Sequence, residues 1–261
     1  MQTTFRLFVS SLLLFALACN RQETAIDGSC LPQQIAKRLY KTVSTAQPAG
    51  SGAHSTVYTA EFFFDQQNRV DSIRMNDTPY KVMYNAAGQV DKLLTYFAEH
   101  PAIVQSEQTY HYQMGRLDKT ISQNFDLQGN PQGWRPVVYY TWNSEGFLEK
   151  TRYEGGDEET VYSHDGCGNR VETREMSLPT GLETMLVVAQ FSDTFSPYFL
   201  IGLDKIFPAQ YSAHNKIMEQ IVHWDCADYD PDPIVFEYEY GPDGLPTTMS
   251  SRYGTVAFFY E

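Results

Sequence analysis

Carboxylates are densest in Asp225-Cys226-Ala227-Asp228-Tyr229-Asp230-Pro231-Asp232-Pro233, and such a group could hold a hard cation such as calcium through its oxygens. Counted from Asp228, acids fall at positions 1, 3, 5 and 12 of a calcium loop, Glu239 being the last. Position 6 is Pro233, where that loop needs Gly for its sharp turn, and the flanks read as strands rather than helices. The stretch is therefore read as a solvated acidic loop, and no metal site is assigned. His164 beside Asp165 pairs a base with a carboxylate, but it lies inside a repeated turn and is read as structural. Trp134, in the loop Gln128-Gly129-Asn130-Pro131-Gln132-Gly133-Trp134-Arg135, is the candidate binding residue. Its indole offers an apolar face and a polar edge on which a sugar ring can stack; the competing reading is that it folds back over the edge of a sheet. No Gly precedes Lys, and no Gly-x-Ser-x-Gly, His-Glu-x-x-His or Gly-x-Gly-x-x-Gly pattern occurs. Asp and Glu could serve a glycan hydrolase, but that chemistry depends on a separation in space. No catalytic residue is assigned, and no cofactor is implied.

A different chemistry is written at the amino terminus. Arg6 is the one charge before Cys19, Leu7 to Leu17 form a short apolar run, and Ala16-Leu17-Ala18 precede the cysteine. The run is too short for a membrane span, which needs about 20 apolar residues, and reads as a secretory signal over residues 1–18. A small residue followed by Cys19 reads as a lipobox, in which the thiol receives a diacylglycerol and the new amino terminus is acylated. Cys19 is then the lipid anchor and the membrane a partner; ordinary signal cleavage after Ala18 is the alternative. Asn20, rather than Asp, follows the cysteine; by likeness to Gram-negative lipoproteins this favours the outer membrane, either leaflet being open. Removing Arg6 from the 19 basic residues leaves 18 against 32 acidic ones, a formal charge of −14. Nucleic acid is not an expected partner of so anionic a chain. Cys30, Cys167 and Cys226 could form one bridge in an oxidising compartment, with all three pairings open.

These residues need a scaffold, and the chain repeats one. Six times an aromatic-rich strand runs into a polar turn with Gly or Asn, then a polar or basic residue and Val or Leu. The copies are 64–70, 84–90, 112–117, 142–148, 164–171 and 240–245. Tyr80, Val82 and Tyr84 alternate with Lys81 and Met83, the period of a strand. Asp65, Asn85, Asn143 and Asp165 can bond their own downstream backbone, and Gly88 or Asn68 tolerates the positive φ that a turn needs. The next apolar residues fall three apart, as in Val70/Ile73 and Val90/Leu93, which predicts a bulge beside each turn. Aromatic residues, 14% of the chain, are read first as cross-strand packing and second as a sugar-stacking surface.

Residues 19–29 read as a tether and 30–261 as a single β domain. Residues 33–44 fit a helical stripe through Ile35, Leu39 and Val43 or one face of a strand through Ile35, Lys37, Leu39 and Lys41, and the strand is favoured because a loop with Pro48, Gly50 and Gly52 would close a hairpin with Val57 to Phe64. The array breaks off near residue 177. Ser196-Pro197, as N-cap and first turn, opens a helix near 198–207 that covers an open end of the sheet. Strands resume at Ile217 to Trp224, Val235 to Tyr240, Pro246 to Arg252 and Val256 to Tyr260.

The repeat resembles the tyrosine-aspartate (YD, or RHS-type) repeat, Tyr-Asp-x-x-Gly-Arg-Leu. Residues 84–93 match it best and 64–73 and 112–117 next, whereas the other copies lose Arg, add a residue or replace Asp. Behind a lipoprotein signal, the array is similar to uncharacterised YD-repeat lipoproteins of Bacteroides-type bacteria. The resemblance implies an all-β array of antiparallel hairpins, forming a long curved sheet or incomplete barrel, and is silent on chemistry. The expected function is a cell-envelope lipoprotein acting as a binding or scaffold module for a glycan or another envelope protein. A glycan-processing hydrolase and a structural shell, as larger YD-repeat proteins build around toxin cargo, are the alternatives.

Overall fold

The computed structural model describes residues 37–46, 55–224 and 232–261. The signal segment, Cys19, the tether, Cys30, the Pro48 to Gly52 loop and the acidic stretch from Asp225 to Pro231, with Cys226, lie outside the described residues. The chain forms β1 (Leu39–Ala46), β2 (Thr56–Phe64), β3 (Val70–Met75), β4 (Thr78–Tyr84), β5 (Val90–Phe97) and β6 (His100–Gln113). It continues with β7 (Arg116–Phe125), β8 (Pro131–Gln132), β9 (Val137–Trp142), β10 (Leu148–Tyr153), β11 (Glu158–His164), β12 (Arg170–Ser177) and β13 (Glu183–Phe195). Two short helices, α1 (Pro197–Leu200) and α2 (Leu203–Ile206), lead to β14 (His214–Trp224), β15 (Ile234–Val235), β16 (Glu237–Tyr240), β17 (Pro246–Ser251) and β18 (Gly254–Tyr260).

All strands belong to one antiparallel sheet that is nearly closed into a barrel. β1 pairs with β2 on one side and with β18 on the other, so the two ends of the chain join. A seam remains beside β14, which holds β15 through two residue pairs, Met218↔Val235 and Glu219↔Ile234. Beyond them the Tyr238 hydroxyl donates to Lys216 O at 3.0 Å while β16 takes its ladder bonds from β17.

Every expected turn forms, and every one carries the expected bulge. Asp65 Oδ1 accepts the backbone N–H of Gln67 and Arg69, and Asn85, Asn143 and Asp165 repeat this bonding. Asn68 takes the left-handed conformation, at φ 60, that Gly88 takes in the next copy. Past the turn Phe64 faces Val70 but Phe63 faces Ser72, so Asp71 is the inserted residue. The same slip occurs at Tyr84, Tyr112, Trp142, His164 and Tyr240. Because one residue is bulged out, side chains three apart point to the same side, which is why Val70 and Ile73, and Val90 and Leu93, are buried together.

Bulges also link one hairpin to the next. The Tyr84 hydroxyl donates to Val70 O at 2.8 Å, Tyr112 to Val90 O at 2.9 Å, Trp142 Nε1 to Leu117 O at 2.7 Å and Tyr260 to Pro246 O at 2.8 Å. In the first three cases the aromatic residue before a turn satisfies the carbonyl of a residue just after a neighbouring turn, where a bulge disturbs the ladder, and Tyr260, the last residue of β18, does the same for Pro246. Arginines make a second link: the Arg69 guanidinium lies 4.0 Å from the Tyr84 ring centre, and Arg116 Nη1 donates to Asn143 O at 3.2 Å.

An up-and-down order puts all six repeat turns at one end of the barrel, and the β13–β14 connection lies there too. That connection closes the end. Ile201, Leu203 and Ile206 share one core with Leu39, Phe62, Ile73, Val82, Leu93, Tyr110, Leu117 and Phe258, residues of β18 and β1 to β7. The Tyr110 hydroxyl donates to Ile206 O at 2.6 Å. On its other side the segment meets β12, Arg170 Nη2 donating to Gln210 O at 3.3 Å. A short segment that touches both halves of a curved sheet lies within the curve, and 196–213 is therefore a plug.

Two expectations need correction. The single helix near 198–207 is two, because Gly202 adopts φ 77 and breaks the turn; Ser196 holds the N-cap position but its hydroxyl makes no cap bond. The break near residue 177 interrupts the repeat turns, which return at 240–245, but not the sheet, since β12, β13 and β14 pair continuously. Replacing Tyr84 or Tyr112 by Phe removes one hydroxyl-to-carbonyl bond and is expected to cost about 1 kcal/mol each in urea unfolding. An unchanged midpoint in both variants would show that these links do not hold the hairpins together.

Candidate functional site

A cleft of about 240 Å³ lies between the plug and the wall formed by the copies at 142–148 and 164–171. Its apolar part comes from Trp142, Phe147, Phe199 and Tyr211, and its polar part from His164, Arg170, Asp204 and Ser212. His164 occupies the place that Tyr holds in other copies and stacks on Phe147 with ring centres 5.4 Å apart. Burial, and then the Arg170 charge, hold its pKa below that of a free imidazole, with Asp165 opposing them. Burial lowers the Arg170 pKa as well; this guanidinium lies 5.2 Å from the Tyr162 ring centre. Burial raises the Asp204 carboxyl, against the opposing charge of Lys205. Gly168 forms part of the floor: a Cβ there would sit 2.5 Å from the Phe147 ring, at a φ of +79 that side chains rarely adopt.

A second histidine braces this region. His214, stacked on Phe195 at 4.6 Å, donates its backbone N–H to Asn169 Oδ1 at 2.9 Å, and its Nδ1 lies 3.0 Å from the same oxygen. Asn169 thereby fastens the start of β14 to a repeat turn. Burial lowers the His214 pKa, while Asp165 and Asp193 act the other way.

Asp204 is the one carboxylate in the lining of the cleft, whereas glycoside hydrolysis uses two. Cys167 is in a disulfide, and Ser212 Oγ accepts the Arg170 backbone N–H at 3.3 Å. Among the described residues no three His, Cys, Asp or Glu gather as metal ligands.

Trp134 stands apart from the cleft, on the loop between β8 and β9 at the far end of the barrel. It is 66% exposed and does not fold back over the sheet. The loop is opened by a seventh turn of the same kind, outside the six repeat copies. Asp126 accepts the N–H groups of Gln128 and Asn130 through Oδ1, and Gln132 through Oδ2. Hydrogen bonds from Asn130, ahead of a smaller desolvation effect, lower its pKa. Phe125-Asp126-Leu127-Gln128-Gly129-Asn130 carries the signal, but Pro131 stands where Val or Leu was required, and the turn lies at the opposite end from the other six.

Below that loop the outer wall holds a groove of about 660 Å³ lined by Tyr139, Glu149, Lys150, Arg152, Glu154 and Glu159. Tyr139 donates its hydroxyl to Glu154 Oε1 at 3.0 Å, a bond that raises the tyrosine pKa. Elsewhere the outer face carries cross-strand ion pairs: Lys41–Glu61 at 3.0 Å, Lys81–Asp71 at 2.5 Å, Lys92–Glu107 at 3.0 Å and Lys150–Glu159 at 3.3 Å.

Fold and cleft together define an antiparallel β-barrel stoppered at one end by its own chain. No family pattern matches the sequence, and no curated protein sequence does. Among solved structures the chain is similar to a porin-like protein from Bacteroides uniformis, at 10% identity over 88% of this chain and 99% of that one, with a TM-score of 0.52. A porin-like protein from Bacteroides vulgatus is similar at 11% identity over 86% and 99%, with a TM-score of 0.46. The Tc holotoxin pore of Photorhabdus luminescens matches 80% of this chain with 14% of its own, at 11% identity and a TM-score of 0.23. The first likeness shows a shared fold, and the other two are too distant to carry an argument.

The lowered histidine values set an acid limit. With folded pKa values below that of the free side chain, the unfolded chain binds more protons, so this stability is full above pH about 6.5 and is lost as pH falls. The melting temperature is expected to drop between pH 7 and 5, and less so in His164→Phe, which keeps the stack on Phe147. An identical slope in that variant would remove His164 as a contributor.

Proposed function

We propose that the protein is a cell-envelope lipoprotein, anchored through Cys19, whose barrel is a non-enzymatic binding or scaffold module for a glycan or another envelope protein. The observation that carries this reading is the outer groove beside the Trp134 loop. It combines an aromatic face, Tyr139, with the charged hydrogen-bonding groups of Glu149, Arg152 and Glu154, the mixture that recognises a polar ring with apolar faces. Trp134 lies three residues before β9, the strand that carries Tyr139. Val137 O, between them, accepts Glu154 N–H at 2.9 Å.

Charge on the outer wall supports a barrel held at the membrane rather than within it. A lipid-spanning barrel turns an apolar band about 25 Å tall outward, and a charge there costs about 2–4 kcal/mol at the midplane. This wall instead carries Lys41, Glu61, Lys81, Lys92 and Glu107 along its strands. The plug and the small cleft give no chamber for a cargo, which disfavours the shell reading.

Palmitate labelling of the full chain is expected and should vanish in Cys19→Ala; labelling that persists would sink the anchor. Soluble protein beginning after Cys19 is expected to bind members of an envelope glycan panel, with at least tenfold weaker binding in Trp134→Ala or Tyr139→Ala at unchanged melting temperature. Failure to bind any glycan would leave an envelope protein as the ligand.

A further inference from the structure

We propose that the disulfide of Cys167 closes on Cys30, and that it holds the plugged end of the barrel toward the membrane, with Trp134 and the outer groove directed away. The orientation and the exclusion of Cys19 as the partner rest on the lipid-anchor reading; the exclusion of Cys226 rests on geometry alone.

Cys167 is disulfide-bonded and sits in the β11–β12 turn, its N–H bonded to Asp165 Oδ1 at 2.9 Å. That turn belongs to the plugged end, because neighbouring Asn169 holds His214 at the start of β14. β14 then runs to Trp224, which pairs with Met185 near the far end. Ten steps of about 3.3 Å separate His214 from Trp224 by roughly 33 Å. Cys226 follows two residues later, and two residues span at most about 7 Å. A disulfide needs Cα atoms within about 7 Å, so Cys226 is out of reach of Cys167. The amino-terminal side lies where it is needed. Lys37 pairs with Asp243 at 2.8 Å, and Arg38 Nη1 donates to Asn68 Oδ1 at 2.9 Å, both at plugged-end turns. The seven steps from Cys30 to Lys37 reach up to about 24 Å. The Cys19 thiol, as the site of the lipid thioether, is spent. Forming the bond takes two protons and two electrons from the two thiols, passed to a protein disulfide of the oxidising envelope by thiol–disulfide exchange.

A staple at Cys30 shortens the free link between lipid and barrel from eighteen steps, Cys19 to Lys37, to eleven, and fixes its attachment at the plugged end. Charge acts in the same sense. Three plugged-end acids are ion-paired, Asp65 with Arg69, Asp243 with Lys37 and Glu261 with Arg38. Far-end turns carry Asp77, Glu99, Asp126, Glu154 and Asp157 against Arg135 and Arg252. Anionic headgroups repel the far end more strongly.

Mass spectrometry of an unreduced digest of the full lipoprotein should find the Cys30 peptide joined to the Cys167 peptide. A Cys167–Cys226 link would overturn the pairing, and a Cys19–Cys167 link would overturn pairing and anchor together. For orientation, a dye is placed at Met114→Cys or Leu182→Cys in a Cys226→Ser background. Met114 is 95% exposed at a plugged-end turn and Leu182 is 65% exposed at a far-end turn. On phosphatidylglycerol-containing vesicles with a headgroup quencher, the dye at 114 should be quenched several-fold more than the dye at 182, and Cys30→Ser should narrow the difference. Equal or reversed quenching on bound protein would overturn the orientation. Lack of vesicle binding would overturn the anchor and the orientation with it, leaving the pairing to the digest.

Discussion

The barrel depends on one recurring interaction, in which an aromatic donor before a turn satisfies the carbonyl exposed by the bulge after a neighbouring turn. Tyr84 to Val70, Tyr112 to Val90 and Trp142 to Leu117 carry it along the wall, and Tyr260 to Pro246 repeats it near the join of the chain ends. The bulge has two effects at once. It turns two apolar side chains three residues apart toward the interior, and it disturbs a ladder that the next aromatic residue then repairs. Burial of the donors follows: desolvation pushes the Tyr84 and Tyr112 hydroxyls up to about 12, so they remain protonated donors at any physiological pH.

Gathering the six repeat-turn bulges at one end makes the barrel unequal along its axis. The buried positions Val70, Ile73, Val90, Leu93, Leu117 and Leu148 cluster beside the repeat turns and form an apolar ring. Left open, that ring would face water; Ile201, Leu203 and Ile206 of the plug cover it. Each of these, fully buried, contributes about 1.5–3 kcal/mol, so the plug is part of the core. Because α1 and α2 are each a single turn, their stability comes from this packing and not from helix propensity.

The same inequality separates the two candidate surfaces. The cleft against the plug is small, partly apolar and built from groups whose ionisation burial suppresses. The outer groove and Trp134 loop are wide, wet and at the other end. A ligand with many hydroxyls suits the second, where the protein's polar groups keep their hydration until contact. Ion pairs on the outer wall are each worth little to stability, and their importance lies in the solvent they imply for the face that bears them.

The repeat turns, their bulges and the hairpins they join were legible because each is decided within a few residues: Asp or Asn bonding its own backbone, Gly or Asn at positive φ, apolar residues three apart. The Asp126 turn obeys the same chemistry and escaped only because Pro131 broke the pattern used to find it. His164 was legible as part of a turn but not as a wall of a cleft, since the cleft's other wall comes from residues 199–213. Tyr139 on β9, Glu154 in the β10–β11 turn and Glu159 on β11 come together, and no spacing along the chain could announce that. By itself the sequence determined the all-β hairpin array and its repeated turns. The tertiary structure alone decided that the curved sheet joins β1 to both β2 and β18, that the connection covering its end packs inside as a plug, and that Trp134 stands free at the other end. The physical reason is range: hairpins are settled by local hydrogen bonding, whereas closure, plugging and the two concavities depend on burial shared by strands far apart in the chain.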